Sequence, residues 1–215
     1  ICVRREFPVQ SGTLEVLRGV DVELAEGEIV AIEGPSGSGK STLLHILAGL
    51  DRPTSGEVWW GEVDAMAQSG DQLALLRHRH IGLMFQRHHL LADLTLLENV
   101  TLAGRIRGGF DEARGLELLA RLGLADRAQA RAATLSGGEL GRAAAARALF
   151  MHPKVILADE PTANLDADSA VQLIDALVDT VAQQGVALLL VTHDPRVAVR
   201  ADRRLRLDRG VIASL

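Results

Sequence analysis

The stretch Gly34-Pro35-Ser36-Gly37-Ser38-Gly39-Lys40-Ser41-Thr42 constrains this chain more than any other. It fits the pattern G-x-x-x-x-G-K-[ST], with the apolar run EIVAIE before it and the leucine-rich run KSTLLHILAGL after it. Strand, glycine loop and helix in that order make a loop whose backbone N–H groups can wrap phosphates. Lys40 places a cation beside the β and γ groups, and Ser41 is positioned to ligate Mg²⁺. Lys40 and Lys154 are the only lysines in an arginine-rich chain. A compact ammonium therefore stands where a point charge is wanted. The candidate nucleotide-binding residues are Gly34, Ser36, Gly37, Ser38, Gly39, Lys40, Ser41 and Thr42, with ATP and Mg²⁺ as the expected ligands.

Around this loop, short β-branched runs alternate with helical patterns. Strands are expected at Glu28–Glu33, Ile81–Phe85, Val155–Asp159 and Val186–Thr192. Helices are expected at Lys40–Ala48, Asp111–Leu122, Glu139–Phe150, Ser169–Gln183 and Pro195–Arg200. That alternation predicts an α/β fold with a largely parallel sheet. Val16–Glu28 and Gly56–Gly61 read as hairpin strands of a small antiparallel β layer, with Trp59 and Trp60 splitting between core and solvent. From Arg87 to Arg131 the strand signal vanishes, which predicts an inserted helical subdomain ending at the next motif. The expected organisation is a single domain, with residues 1–86 and 141–215 forming the ATP-binding core and 87–140 the helical subdomain.

Two acids end an apolar run in Val155-Ile156-Leu157-Ala158-Asp159-Glu160. Such a run should be buried, so its terminal acids come to the sheet edge where α/β ligands bind. Asp159 would hold Mg²⁺ and Glu160 would polarise an attacking water. A third strand, ALLLVT, ends at His193, which would stand at the same edge within reach of a γ-phosphate. Ser136-Gly137-Gly138 opens a helical run. Uncapped N–H groups, a hydroxyl and two residues without Cβ suit an anion, although an ordinary serine N-cap uses the same residues.

Together these pieces resemble the ATP-binding-cassette (ABC) ATPase family over essentially the whole chain. GPSGSGKST is similar to its phosphate loop, Gln86 in LMFQRHH to its Q-loop glutamine, and LSGGE to its signature. VILADE is similar to its Walker B segment, ANLD to its D-loop and His193 to its switch histidine. The resemblance implies a P-loop NTPase (RecA-like) core and a homodimer paired head to tail. The signature of one copy, Ser136, Gly137 and Gly138, would close over a γ-phosphate held by the other. It implies catalytic roles for Glu160, His193 and Gln86, metal contacts from Ser41, Gln86 and Asp159, and a nucleotide-side role for Asp166. Integral membrane transporter subunits would be partners, at the cytoplasmic face of the bacterial inner membrane. STLLHILAGLDRPTSGEV, FQRHHLLADLTLLENV and LADEPTANLDADSA resemble the branch of lipoprotein-releasing, macrolide-exporting and cell-division cassettes. A regulatory role in cell division is the alternative reading, and a DNA-repair ATPase a more distant one.

Two departures stand out. Leu140-Gly141 replaces the usual polar residues before Arg142, and glycine within a helix costs about 1 kcal/mol relative to alanine. The adenine-stacking aromatic is usually tyrosine, of which this chain has none; Phe7 is the candidate, since stacking needs only a π face.

Composition closes off other classes. A net charge of −5 with no basic surplus argues against nucleic acid as a partner. The longest clean apolar stretch, Val186–Val191, is too short to span a bilayer. Cys2 is the only cysteine, which excludes an internal disulfide and suits the cytoplasm. No signal peptide is read, and the initial Ile1 suggests that N-terminal residues precede it. His78, His80, His88 and His89 match no zinc spacing. His88, His89, Leu90 and Leu91 are expected to line a groove for a short helix of the membrane partner, the alternative being that both leucines pack inward.

Overall fold

A computed structural model describes residues 1–10, 12–106 and 109–214. Arg107 and Gly108, within the expected helical subdomain, lie outside the described residues. The chain opens with β1 (Val3–Val9) and β2 (Gly12–Val20), an antiparallel pair. Next come β3 (Ile29–Glu33), α1 (Lys40–Leu47), and β4 (Trp59–Trp60) with β5 (Val63–Asp64). These lead to α2 (Gly70–His80) and β6 (Ile81–Met84). The helical segment holds α3 (Leu96–Ile106) and α4 (Glu112–Arg121), and α5 (Gly137–Leu149) returns to the core. The rest is β7 (Val155–Asp159), α6 (Ala167–Gln184), β8 (Ala187–Thr192), α7 (Pro195–Ala198), β9 (Arg203–Asp208) and β10 (Val211–Ser214).

The main sheet has the order β10-β9-β3-β8-β7-β6 and is parallel except for the edge strand β10. Its central strands are buried on both faces, which is why they read as unbroken apolar runs. Alternation then sorts the side chains by face. Ile156, Ala158, Leu188 and Leu190 join one core with α3, α4, α5 and α6, while Leu157, Leu189 and Val191 join a second with β2, α1 and Leu73 of α2. Three layers result, and the helical segment lies wholly on one side.

The expected strands of the parallel sheet are present, but the antiparallel layer is placed differently. Only Val16–Val20 of the expected Val16–Glu28 hairpin is strand, and it pairs backwards with β1 rather than forwards. Positive φ at Gly12 supports the turn that closes this pair. The turn ending at Gly27 instead delivers the chain into β3. β1 was hidden by its arginines, glutamate and Pro8, tolerable because among the described residues β2 is the one strand it pairs with, its other edge making a single bridge from Arg4 to Ser55. Trp59 is 48% exposed while Trp60 packs on the second core and donates Nε1–H to the Leu47 carbonyl, as its split character predicts.

The expected boundary at 140/141 falls within α5, so this helix belongs to both parts. Its start carries the Ser-Gly-Gly loop, and its far end packs on β6. There Gly82 allows near-contact: a Cβ at this position would stand 2.4 Å from the Ala148 carbonyl oxygen. The four residues expected to line a groove also divide. Leu90 packs against the first core, whereas Leu91 is 50% exposed. Buried Asn99 fixes the Leu91 backbone, accepting from its N–H at 2.7 Å and donating to its carbonyl at 3.0 Å. The His88 ring turns inward, and His89 stacks on Phe85 with centroids 5.3 Å apart.

Candidate functional site

Four parallel strands bring their C-terminal ends to one edge. The register pairs Glu33 with Thr192, Asp159 with Val191 and Met84 with Ala158, so the ends lie nearly level. The phosphate loop follows β3, Asp159 and Glu160 close β7, His193 follows β8, and Phe85-Gln86 follow β6. Residues far apart in sequence thus converge because the strands that carry them are neighbours.

α1 begins at Gly39, whose left-handed φ of 104° suits glycine, and no side chain caps its N-terminus. By contrast Ser69, Asp111, Ser136, Asp166 and Asp194 cap α2, α4, α5, α6 and α7. The open N–H groups of α1 and its macrodipole suit an anion. Ser38 Oγ is buried without a hydrogen-bond partner among the described residues, an orphaned donor that a phosphate oxygen would satisfy. Gly34 serves another end: a Cβ there would stand 2.2 Å from the Leu207 carbonyl oxygen, so β9 can close over the loop only with glycine in place. Ser36 and Gly37 are exposed, and Thr42 is partly buried in α1. The buried Lys40 ammonium donates to the Gly34 and Pro35 carbonyls at 2.8 and 3.0 Å. These donors fit a bound polyphosphate.

Glu160 holds the opposite wall. Its φ of 45° lies in the left-handed region, a strain of about 1–3 kcal/mol for a residue other than glycine. The Glu160 N–H, donated to the Val191 carbonyl at 2.9 Å, locks that turn. One carboxylate oxygen then lies 3.8 Å from Lys40 Nζ, and the other 2.9 Å from His193 Nδ1. The His193 side chain is 60% exposed, so its ring projects past the strand edge with Nδ1 anchored on Glu160. Ser41 Oγ donates to Asp159 Oδ1 at 3.0 Å. Burial first of all pushes the Asp159 carboxyl above its usual range, the Ser41 hydroxyl opposing it. A buried carboxylate beside a hydroxyl is an oxygen donor set suited to Mg²⁺, whose charge would offset the desolvation.

The structure brings Gly34–Thr42, Asp159, Glu160 and His193 together. Gln86 is exposed at the same edge; its carbonyl accepts from Asn164 Nδ2 at 3.4 Å, and no hydrogen bond joins its side chain to Ser41 or Asp159 among the described residues. Phe7 is partly buried in β1 opposite Leu14, with the Arg5 guanidinium 4.4 Å over its ring. Arg5 is in turn held 2.9 Å from Asp51. The paired strand passes the phosphate loop, since a Gly39 Cβ would lie 3.0 Å from the Val16 carbonyl oxygen. Asp166 caps α6, accepting from the N–H groups of Asp168 and Ser169.

Ser136 is a true N-cap. Its Oγ accepts from Glu139 N–H at 3.3 Å and donates to Glu139 Oε2 at 2.8 Å, while its own N–H donates to that carboxylate. These bonds, those of the Ser136 backbone foremost, hold the Glu139 carboxyl below its usual range. The glycines beside it answer to packing as well as to any ligand. A Cβ at Gly137 would stand 3.0 Å from Leu165, and one at Gly138 would stand 3.2 Å from Ser169. The loop therefore sits against its own chain's ANLD segment. Sequence reasoning missed Asn164, which ties that segment to Gln86, and Arg147, which donates to the His88 and His89 carbonyls at 2.6 Å each. A lone long cation amid AAAARAL was the available signal for Arg147.

Two surface hollows, about 520 Å³ along α6 and about 290 Å³ around Arg114 and His152, take no lining residue from the phosphate loop. The nucleotide site is accordingly read from its donors. No helix of the described residues is long and apolar enough to cross a membrane.

Known proteins are similar to this chain in sequence and fold. The profile of a family described as ABC transporter matches residues 17–163. The "Lipoprotein-releasing system ATP-binding protein LolD" of Paramagnetospirillum magneticum is 44% identical over 216 residues, covering 99% of this chain and 96% of that protein. The "Macrolide export ATP-binding/permease protein MacB" of Rhodopseudomonas palustris is 46% identical over 215 residues, 99% of this chain but 33% of that protein. Among solved structures, the dimeric post-hydrolysis state of the ATP-binding cassette MJ0796 bound to ADP and Pi has a TM-score of 0.90. It is 36% identical, over 100% of this chain and 97% of that one.

Proposed function

Since this chain belongs to the ABC transporter family and is an ATPase subunit of it, we propose that two copies pair head to tail and drive lipoprotein release through a membrane partner. The observation that carries this reading is a division of labour. Lys40, Glu160 and His193 meet at one strand edge, while the Ser136 loop lies against Asn164, Leu165 and Ser169 of its own chain. Each copy offers a phosphate cradle and, separately, a phosphate-seeking helix start. The dimeric relative, whose cassette is bound to ADP and Pi, supports the pairing. The lipoprotein-releasing relatives, matched over nearly their whole length, support the cargo class.

In this reading Lys40 and the α1 N-terminus hold the β and γ groups. Phe7 would stack on adenine with Arg5 backing its other face, and Asp166 would lie near the shared interface. Mg²⁺, held by Ser41 and Asp159 with Gln86 nearby, would neutralise phosphate charge. Glu160 takes the proton of the attacking water, with its carboxylate oriented by His193. Ser136 must release its hydroxyl from Glu139 to donate to the partner copy's γ-phosphate, so closing the dimer exchanges one hydrogen bond for another. The complex would work at the cytoplasmic face of the inner membrane.

Mixing two inactive variants tests the pairing. Ser136→Arg should abolish hydrolysis yet leave ATP binding to the monomer intact, and Lys40→Ala should lose phosphate binding. In a head-to-tail mixed dimer both defects fall on one site, and the other stays wild type. ATP-dependent dimerisation and some hydrolysis should return on mixing. A mixture as inert as its parents would refute head-to-tail sharing.

A further inference from the structure

We propose that Glu139, tethered by Arg127, is a positioning residue that withholds the Ser136 hydroxyl until a γ-phosphate displaces it, and so sets the ATP concentration at which two copies pair. The start of α5 suits an anion, yet in the free chain an anion already stands there, and it is the protein's own. Glu139 Oε2 takes both donors of Ser136, the N–H at 2.9 Å and the hydroxyl at 2.8 Å. A serine hydroxyl has one hydrogen, so while it is given to Glu139 none is left for a phosphate. The Glu139 side chain is only 19% exposed, and the Ser136 bonds keep its carboxyl below the usual range, hence charged. An incoming γ-phosphate therefore meets a like charge as well as a committed hydroxyl.

Capping alone does not require this arrangement. Ser69 and Gln72 close the same box at α2 with a neutral amide. Gln72 Oε1 accepts the Ser69 N–H at 3.1 Å, and no bond runs from the Ser69 hydroxyl to it among the described residues. Thr95 and Glu98 do use a carboxylate at the start of α3, with the hydroxyl donated at 3.1 Å, but no arginine forms an ion pair with Glu98 among the described residues. Of the three boxes, the one at Ser136 adds a cation. Arg127 Nε donates to Glu139 Oε1 at 3.1 Å, the oxygen that Ser136 leaves free. Arg127 closes the short turn Ala125–Arg127, and just beyond it the carbonyls of Ala128 and Ala130 accept from the Leu97 and Leu96 N–H groups of α3 at 3.0 Å each. The guanidinium thus comes off a fixed stretch of backbone. When the hydroxyl turns away to a phosphate, Glu139 keeps both the Ser136 N–H and Arg127. The carboxylate makes release harder, and the arginine, by offsetting its charge, makes release easier.

The proposal rests on the head-to-tail reading. It is tested in Glu160→Gln protein, where hydrolysis does not deplete ATP, by following the dimer fraction on size-exclusion chromatography as ATP with Mg²⁺ is raised. Glu139→Gln keeps the box, as Gln72 does at α2, but removes the charge. Its midpoint should fall at least roughly tenfold, the scale of a hydrogen bond to a charged group. A residue that only capped the helix would leave the midpoint where it was, because glutamine and glutamate close the box alike. An unmoved or higher midpoint therefore overturns the proposal. Arg127→Gln should raise the midpoint about two- to fivefold, the scale of a partly exposed ion pair, and should have no effect once Glu139→Gln is present. An arginine that met the phosphate itself would raise the midpoint equally in both backgrounds, and that result also overturns the proposal. ATP affinity at protein concentrations too low for dimers should match the Glu160→Gln parent in each variant, since Lys40 and the phosphate loop are untouched. A shift there would move the effect to the phosphate loop and refute the role given to Glu139. If Glu160→Gln forms no dimer at any ATP concentration, the pairing itself is lost, and the proposal falls with it.

Discussion

The behaviour of Glu160 follows from a strained backbone that aims its carboxylate. The positive φ turns the side chain out of β7 towards Lys40 and His193, and the bond to Val191 keeps it there. Strain of this kind persists where the surroundings over-determine it. Glu160→Gln retains the shape and the contact with His193 Nδ1 but cannot take a proton. Hydrolysis should fall by at least about a hundredfold, the scale of a lost general base, with ATP binding kept. On size-exclusion chromatography with ATP the variant should accumulate as a dimer. Turnover near wild type would remove Glu160 from the role of base.

Among the elements, α5 connects the two functions. Its start carries Ser136, its middle holds His88 at Gly141, and its end lies on β6, the strand that leads to Gln86. Gly82 is the point of closest approach, with the Ala148 carbonyl oxygen and Ile156 Cδ1 each 2.4 Å from where a Cβ would stand. One of these neighbours is backbone and cannot swing aside. Gly82→Ala should therefore force α5 and β6 apart and destabilise the protein by about 1–3 kcal/mol, the usual range for overpacking. Urea denaturation should show a lower midpoint at unchanged slope. A midpoint equal to wild type would mean that the contact between α5 and β6 is looser than described.

For the whole molecule, the question is where motion leaves the ATPase. The segment after Gln86 is fixed by Asn99 and Arg147, yet it leaves Leu91 half in solvent beside the exposed residues Ala92 and Asp93. We expect Leu91 to fill a contact with the membrane partner, while Leu90 serves the core. Leu91→Glu should change stability by no more than about 0.5 kcal/mol, as an exposed substitution does. ATPase activity and dimerisation of the isolated subunit should persist, and co-purification with the partner should be lost. Normal recovery of the partner would move the interface elsewhere.

Local chemistry made much of this protein legible from its residues alone. Glycine spacing and Lys40 define the phosphate loop wherever a strand precedes it and a helix follows, and short apolar runs such as ALLLVT, bounded by turn residues, read as buried strands. Polar segments were less legible. The polar helix Gly70–His80 has only Leu73 fully buried, so its apolar period is faint. The strand RRLRLD alternates, but its arginines mask it, and β1 is masked in the same way. What sequence could not supply was adjacency. That Gly141 makes room for His88, that Gly137 rests on Leu165, and that Asn164 reaches the Gln86 carbonyl depends on which strands are neighbours and how closely α5 approaches β6. A propensity scale sees Gly141 as a flaw in a helix because it weighs one residue against its own chain neighbours. Tertiary packing decides its use, since the space a missing Cβ leaves is filled by a side chain 53 positions away.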